Sequence, residues 1–195
     1  MTQEFALQTS REAAASDELA LIAAAAGRPE AFGELYQRYL SRVYRYLRTR
    51  AASGDDARDL TQTVFLRAFT GLARYRRDRT PFAAWLFRIA RNAAIDARRR
   101  QRPTIPWELV TDMATGEDRD SSPAVRVEER ERAAHLRMLI GRLDDHKREL
   151  LALKYAAGLS TREIAATLGK SEHAVKKMMT RTLSALKEQY DEPRG

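Results

Sequence analysis

The sequence predicts an all-α protein, built as two small helical domains joined by a flexible linker. Apolar residues recur at helical spacing along most of the chain, and neither an alternating strand pattern nor an internal repeat is found. Between about Pro103 and Pro123 this spacing is lost, and the segment from Glu117 to Ser122 is rich in acidic residues and serine. The expected division is a tail at 1–16, helical domains at 17–103 and 131–190, an acidic linker at 104–130, and a tail at 191–195.

The composition favours a polyanionic partner. Lys and Arg total 35 against 27 Asp and Glu, so the net charge is +8, which suits nucleic acid or an anionic membrane surface. The absence of cysteine excludes disulfides and thiolate zinc sites. No apolar run approaches the roughly 20 residues that span a bilayer, and the start lacks a signal-peptide core. We therefore expect a soluble cytoplasmic protein without membrane insertion.

The first helices of the N-terminal domain are predicted from caps and apolar spacing. Asp17 can cap a short helix that Gly27 ends, and Ser53 to Asp56 forms the turn and cap before a helix that runs to about Ala73. The helix between them has an apolar face at i, i+3, i+4, i+7 spacing, made of Phe32, Leu35, Tyr36, Tyr39, Val43, Tyr44 and Leu47.

The last helix of this domain carries an unusual polar face. Thr80-Pro81 is interpreted as an N-cap followed by proline at the first helical position, and Pro103 stops the helix. At helical spacing along one side lie Trp85, Arg88, Asn92, Asp96 and Arg99. A tryptophan interleaved with arginine and asparagine suits a surface that holds a nucleic-acid backbone and exposed bases. The tryptophan is also compatible with ordinary core packing.

A helix-turn-helix is predicted near the C-terminus. Ser160 to Glu163 fits a capping box, Gly169 supplies a left-handed turn, and Ser171 caps a second helix. The expected buried faces are Ile164, Ala165 and Leu168, then Val175, Met178, Met179 and Leu183. The outer face of the second helix keeps Glu172, His173, Lys176, Lys177, Thr180 and Arg181. Such a basic second helix suits insertion into the DNA major groove, although a packed helical pair with a solvated basic face is the alternative.

Four segments of the chain, taken in order, resemble one known family. They are DELALI at 17–22 with Gly27 and 31–32, DARDLTQTVFLRA at 56–68, FAAWLFRIARN at 82–92 with Asp96 and Arg99, and 143–186. Together, over Asp17 to about Gln189, they resemble the extracytoplasmic-function (ECF, group 4) sigma factors of the sigma-70 family. The resemblance implies sigma region 2 at 17–103 and region 4 at 131–190.

The resemblance also implies partners. Region 2 of such a factor would bind the β′ clamp helices of core RNA polymerase and would read and open the −10 element of promoter DNA. Region 4 would read the −35 element, with the β subunit as a further contact. An anti-sigma factor is a candidate regulatory partner, and no cofactor, metal or catalytic activity is expected.

Three sets of residues follow from the same resemblance. Polymerase binding would involve Asp59, Gln62, Thr63 and Leu66. The −10 element would meet Tyr75, Arg76, Arg77, Asp78, Trp85, Arg88, Asn92, Asp96, Arg98, Arg99 and Arg100. The −35 element would meet Lys154, Ser171, Glu172, His173, Lys176, Lys177, Thr180 and Arg181. The run of arginines at 98–100 would contact phosphates, which gives affinity and salt dependence rather than sequence choice.

Three other classes of protein were weighed. A stand-alone helix-turn-helix regulator resembling the LuxR type explains 143–186, but it leaves 56–68 and the Trp85 helix without a role. An enzyme is disfavoured because the three histidines are scattered and no HExxH, P-loop or nucleophile elbow is present. A purely protein-binding adaptor does not explain the excess of basic over acidic residues.

We also expect the two domains of the free chain to pack together and mask DNA contacts.

Overall fold

The computed structural model describes residues 21–25, 29–76, 80–100 and 123–191, and every regular element within these ranges is helical. The labelled helices are α1 (Pro29–Arg48), α2 (Gly54–Gly71), α3 (Phe82–Arg100), α4 (Pro123–Arg142), α5 (Asp145–Leu151), α6 (Thr161–Leu168) and α7 (Glu172–Asp191). A 3₁₀ turn, Leu72–Arg74, follows α2, and a π-helical turn, Ala152–Ala156, follows α5. The prediction of an all-α fold is confirmed for this part of the chain.

Several predicted features lie outside the described residues. These are the N-terminal tail, the Asp17 cap, Gly27, Pro103, the linker up to residue 122, and the end of the C-terminal tail. The predicted linker overlaps the described chain only at 123–130, which is helical. Helix α4 begins at Pro123 itself, because proline is tolerated in the first turn, where its missing N–H has no partner to lose.

The predicted caps form as hydrogen bonds. Ser53 and Ser171 each accept a bond from the backbone N–H three residues further on, at 3.0 and 3.2 Å. Ser160 and Glu163 form both halves of the capping box, with Glu163 N–H donating to Ser160 at 3.2 Å and Ser160 N–H donating to the Glu163 carboxylate at 2.7 Å. Gly169 ends α6 with φ 65° and ψ 36°, as predicted.

The start of α3 differs from the prediction by one residue. The backbone N–H of Trp85 donates to the carbonyl of Pro81 at 3.0 Å, so Pro81 holds the capping position and Phe82 is the first helical residue. Thr80 therefore lies outside the helix. Its carbonyl instead accepts a hydrogen bond from the Tyr75 hydroxyl at 2.7 Å, which ties the preceding loop to the helix start.

A hydrophobic cluster joins the two predicted domains. Its completely or almost completely buried members include Leu35, Val43, Tyr46, Leu47, Val64, Leu86 and Phe87 from the N-terminal side, and Leu150, Leu153, Leu159, Ile164 and Val175 from the C-terminal side. A second cluster packs α4 against α5 and α7 through Leu139, Ile140, Leu143, Leu151 and Leu186. Tyr46 is buried where the sequence had suggested Tyr44, which is only partly covered.

Polar contacts reinforce this junction. The Arg42 guanidinium donates to the carbonyl oxygens of Ala157, at 2.8 Å, and of Gly158, at 3.2 Å. Helix α6 packs against α3, where the Thr167 hydroxyl lies 3.4 Å from the carbonyl oxygen of Ala84. The first helix of the helix-turn-helix is thus one of the elements that meet the N-terminal domain.

One core prediction in α7 is wrong. Leu183 was expected to pack, but 39% of it is exposed, while Thr182 is buried. The face that begins at Val175 passes through Met179 and Leu186 at helical spacing, and Thr182 lies in its middle, whereas Leu183 falls at its edge.

Among the described residues, no helix combines the length and apolar character needed to cross a membrane.

Candidate nucleic-acid interface

An aromatic corner forms where the loop after α2 meets α3. Tyr75, Phe82 and Trp85 pack with ring centroids 5.0 to 5.6 Å apart, within the range of favourable aromatic pairs. Trp85 remains only half-buried. Its position is compatible with both sequence interpretations, because the ring packs in the corner and also lines an open pocket.

That pocket has a volume of ≈ 340 Å³ and lies between α2 and α3. Its lining residues are Arg67, Gly71, Arg74, Trp85, Ile89 and Asn92. An aromatic wall, an amide and two guanidinium groups around one opening offer stacking, base-edge hydrogen bonds and phosphate contacts together. The pocket has the chemistry to accept a nucleotide.

Gly71 is one of the residues that line this pocket. Its backbone is ordinary right-handed helix, with φ −88° and ψ −11°, so any residue could adopt it. A Cβ there would lie 3.4 Å from the Trp85 ring, and a longer side chain would enter the opening. Sequence analysis missed Arg67, Gly71 and Arg74, although their i, i+4, i+7 spacing marks them as one helix face.

The remaining residues predicted for the −10 element differ in their exposure and in their ion pairs. Arg76, Arg88, Asn92 and Arg99 are exposed. Asp96 lies 3.7 Å from Arg67 as an ion pair at the edge of the pocket, and Arg98 pairs with Asp145 at 2.7 Å. Arg77, Asp78 and the side chain of Arg100 lie outside the described residues.

The second helix of the helix-turn-helix, α7, presents an open basic face. Exposed along the helix and its cap are Ser171, Glu172, His173, Lys176, Lys177, Thr180 and Arg181. The Ser171 hydroxyl is engaged as the cap of α7. Lys154 is half-buried in the π-helical turn after α5. Packing of α6 on α3 leaves the outer face of α7 uncovered.

The residues predicted to bind polymerase lie on the outer face of α2. Asp59 and Gln62 are exposed, and Leu66 has 65% of its surface exposed. Thr63 is half-buried and its hydroxyl donates back to the Asp59 carbonyl at 2.9 Å, so this hydroxyl is already engaged within the helix.

Phe69, three residues beyond Leu66, is 43% exposed and extends the same face. Sequence analysis missed Phe69. Exposed large apolar side chains on one helix face are typical of a protein-binding surface.

The fold and these surfaces define a helical DNA-binding protein with a helix-turn-helix. Residues 35–104 match the family described as Sigma-70 region 2, and residues 134–186 match Sigma-70, region 4. The chain belongs to the ECF sigma factors of the sigma-70 family.

Individual relatives agree with this assignment. The chain is 33% identical over 160 residues to the ECF RNA polymerase sigma factor SigM of Bacillus subtilis, covering 81% of this chain and 94% of SigM. It is 35% identical over 164 residues to the ECF sigma factor BldN of Streptomyces coelicolor, covering 84% of this chain and 61% of BldN. The solved structure of CnrH in complex with the cytosolic domain of CnrY has a TM-score of 0.65 at 31% identity, covering 89% of this chain and 97% of that chain.

Family membership decides among the classes weighed from the sequence. Sigma factors are transcription initiation factors and not enzymes, which agrees with the lack of a catalytic motif in the sequence. The stand-alone regulator is not favoured, because the region 2 match covers the segment that this alternative left without a role.

Proposed function

We propose that this chain binds bacterial core RNA polymerase in the cytoplasm and directs it to promoters, where it reads the −10 and −35 elements and opens the DNA. Residues 17–103 act as region 2, residues 131–190 act as region 4, and 104–130 link them. The observation that carries this proposal is the pocket beside Trp85, which combines a stacking surface with polar and cationic groups.

The pocket suits a base that has left the DNA stack. A paired base hides its hydrogen-bonding edge, so reading the −10 element through Asn92 requires a base turned out of the duplex. Trp85 and Ile89 offer an apolar wall for that base, and Arg67 and Arg74 lie at the opening, where the adjoining phosphates would lie. Arg88 and Arg99 extend the same face along α3.

The −35 element is assigned to α7. Lys176, Lys177 and Arg181 project from its exposed face, where they can meet phosphates or guanine edges, and Glu172 and His173 lie at the end that usually meets bases. Lys154 would approach the same DNA from the neighbouring turn.

Polymerase binding is assigned to the α2 face around Leu66. Asp59 and Gln62 give this face polar contacts, and Leu66 with Phe69 gives it apolar area that water covers in the free chain. The β′ clamp helices would cover it, with the β subunit as a further contact. An anti-sigma factor that covers the same face would keep the protein inactive, and the complex of CnrH with the cytosolic domain of CnrY supports such a partner.

Reconstitution tests the proposal. The purified chain is mixed with core RNA polymerase, co-elution is measured by gel filtration, and the 5′ ends of transcripts from genomic DNA are sequenced. We expect co-elution and discrete start sites with shared upstream motifs. Leu66→Asp should abolish co-elution because it places a charge in an apolar contact.

Ala52→Asp is the matched control, since it adds the same charge at an exposed residue outside the α2 face and should co-elute normally. Failure of the unmodified chain to co-elute, together with sequence-specific DNA binding by the chain alone, would point instead to the stand-alone regulator.

A further inference from the structure

Arginines from α3 and from the turn after α1 surround a carboxylate from the C-terminal domain. Glu149, in α5, forms ion pairs with Arg50 and, at 3.9 Å, with Arg91. It also accepts a hydrogen bond from the Tyr46 hydroxyl at 2.7 Å. Only 12% of the Glu149 side chain and 13% of the Arg50 side chain are exposed. A glutamate from one predicted domain is therefore buried among cationic groups of the other.

A second carboxylate continues this arrangement. Asp145, one turn earlier in α5, lies 2.7 Å from Arg98 of α3 and also pairs with Arg148 of its own helix. Arg91 and Arg98 are seven residues apart on α3, so they occupy the same side of that helix. Together with Arg50 they form a cationic strip, and the two acidic residues of α5 lie along it.

The carboxylates do not use all the donors of this strip. The Nε–H groups of Arg50 and Arg91 are buried and make no hydrogen bond among the described residues, and Arg91 Nε is the atom that lies 3.9 Å from Glu149, too far for one. A cavity of ≈ 60 Å³ lies beside them, lined in part by Arg50, Arg91 and Arg98. Buried donors without a hydrogen bond are costly, and an anionic oxygen that lies closer to them than the carboxylates do would satisfy them.

We propose that Arg50, Arg91 and Arg98 form a binding site for the phosphate backbone of nucleic acid, which Glu149 and Asp145 occupy while the two domains are packed together. Carboxylate oxygens stand where phosphate oxygens bind once the domains separate. Guanidinium groups pair with both anions through the same two-pronged geometry. This inference rests on the proposed function, which brings DNA to the adjoining face of α3.

The ion pairs themselves do not prevent this exchange, and the larger cost of separating the domains is the exposure of the apolar cluster that they share. A buried ion pair gains Coulomb energy but loses hydration of both partners, so its net contribution to stability is small. Replacing one anion by another keeps the arginines paired throughout, whereas separating the domains without a replacement leaves them exposed to water and bulk ions. Nucleic acid and the α5 carboxylates therefore compete for one site.

The test uses the full chain and a fluorescent 30-base-pair duplex without promoter motifs. Asp145→Asn with Glu149→Gln removes the competing charges and keeps the side-chain shapes. We expect this variant to bind the duplex about fivefold more tightly than the unmodified chain. The plot of log affinity against log salt should steepen by about 1 to 3, because roughly 0.9 counterions are released per phosphate contact.

Two comparisons make the result specific. Glu30→Gln with Glu34→Gln removes the same charge from exposed positions of α1 and should give less than half of that gain. Adding Arg50→Gln and Arg91→Gln to the Asp145 and Glu149 variant should return affinity and salt slope to the level of the unmodified chain. A gain that survives these arginine substitutions would overturn the proposal, and so would a gain no larger than that of the α1 control.

Asp145→Asn alone keeps the test decisive if the double variant does not fold. The Arg98–Asp145 pair is about half-exposed, so its loss does not threaten the core. This variant should still bind the duplex more tightly, and Arg98→Gln should cancel the gain; an unchanged affinity would contradict the proposal. If the chain co-elutes with polymerase but shows no arginine-dependent gain in duplex affinity, only the phosphate site is rejected. If the gain in affinity is found but the chain does not co-elute, the proposed function is rejected.

Discussion

Tyr46 is a titratable side chain whose pKa changes strongly on folding. It is completely buried, and its hydroxyl donates to Glu149 at 2.7 Å. Burial, followed by the negative charge of Glu149, raises the pKa of this tyrosine well above its ordinary value of 10.0. Burial and this charge therefore favour the protonated phenol at the junction between the domains.

This shift predicts a loss of stability at high pH. Because the folded-state pKa exceeds the unfolded value, the contribution of Tyr46 is fully present below pH 10.0 and is lost as the pH rises through the folded pKa. Urea unfolding between about pH 8 and 11 measures it. Tyr46→Phe should cost about 1 kcal/mol at pH 8, where it removes one hydrogen bond, and should lose less stability than the unmodified chain as the pH rises. Parallel pH curves for the two proteins would contradict this account.

Helices α2 and α3 build the pocket beside Trp85 only because their facing sides carry complementary groups. The α2 side gives Arg67 and Gly71, the following turn gives Arg74, and the α3 side gives Trp85 and Asn92. A glycine in the middle of a helix costs roughly 0.5–1 kcal/mol relative to alanine, but Gly71 is the last residue of α2. Since Gly71 has ordinary helical dihedral angles, its small size is what the pocket uses.

Filling the pocket should separate promoter opening from polymerase binding. Gly71→Gln places a side chain against the Trp85 ring, so we expect at least a tenfold loss of permanganate-reactive open complex with normal co-elution with polymerase. Gly141→Gln is the matched control, because a Cβ at Gly141 meets nothing within 4 Å. Normal opening by the Gly71 variant would show that the base binds elsewhere.

The molecule as a whole shares one large cluster across its two predicted domains. Phe87 of α3 and Ile164 of α6 are both completely buried in it, although they lie far apart in the chain. Such shared burial couples the stability of the two domains, because neither keeps its core covered when the other unfolds. The packed arrangement partly covers α6 but leaves the outer face of α7 exposed. Any masking of DNA contacts therefore concerns the flank of α3 more than α7.

Calorimetry should show this coupling as one unfolding transition. Ile164→Ala should lower the stability of that single transition by about 2 to 5 kcal/mol, the usual cost of emptying a core position. Leu183→Ala is the control, since 39% of Leu183 is exposed and the change should cost about 1 kcal/mol or less. Two transitions, with only one of them shifted by Ile164→Ala, would show that the domains unfold independently.

Local patterns predicted the helices well. Ser160, Gly169 and Ser171 act through neighbours within four residues, so the chain around each of them contains the information needed. The same local reasoning misplaced the start of α3 by one residue at Pro81 and assigned Leu183 to the core instead of Thr182. Both errors fall at edges, where hydrogen bonding and the angle of a helix face decide the outcome.

Helical periodicity, caps and charge were enough to establish an all-α chain with a helix-turn-helix and a basic, aromatic helix face, since all of these depend on residues close in sequence. Folding alone brought Tyr46 to Glu149 across 103 positions and Arg42 to Ala157 across 115. It also brought Arg67 and Arg74 beside Trp85. The physical reason is that periodicity records which side of a helix is buried but not which helix covers it, and the pocket and the arginine strip are made by that pairing.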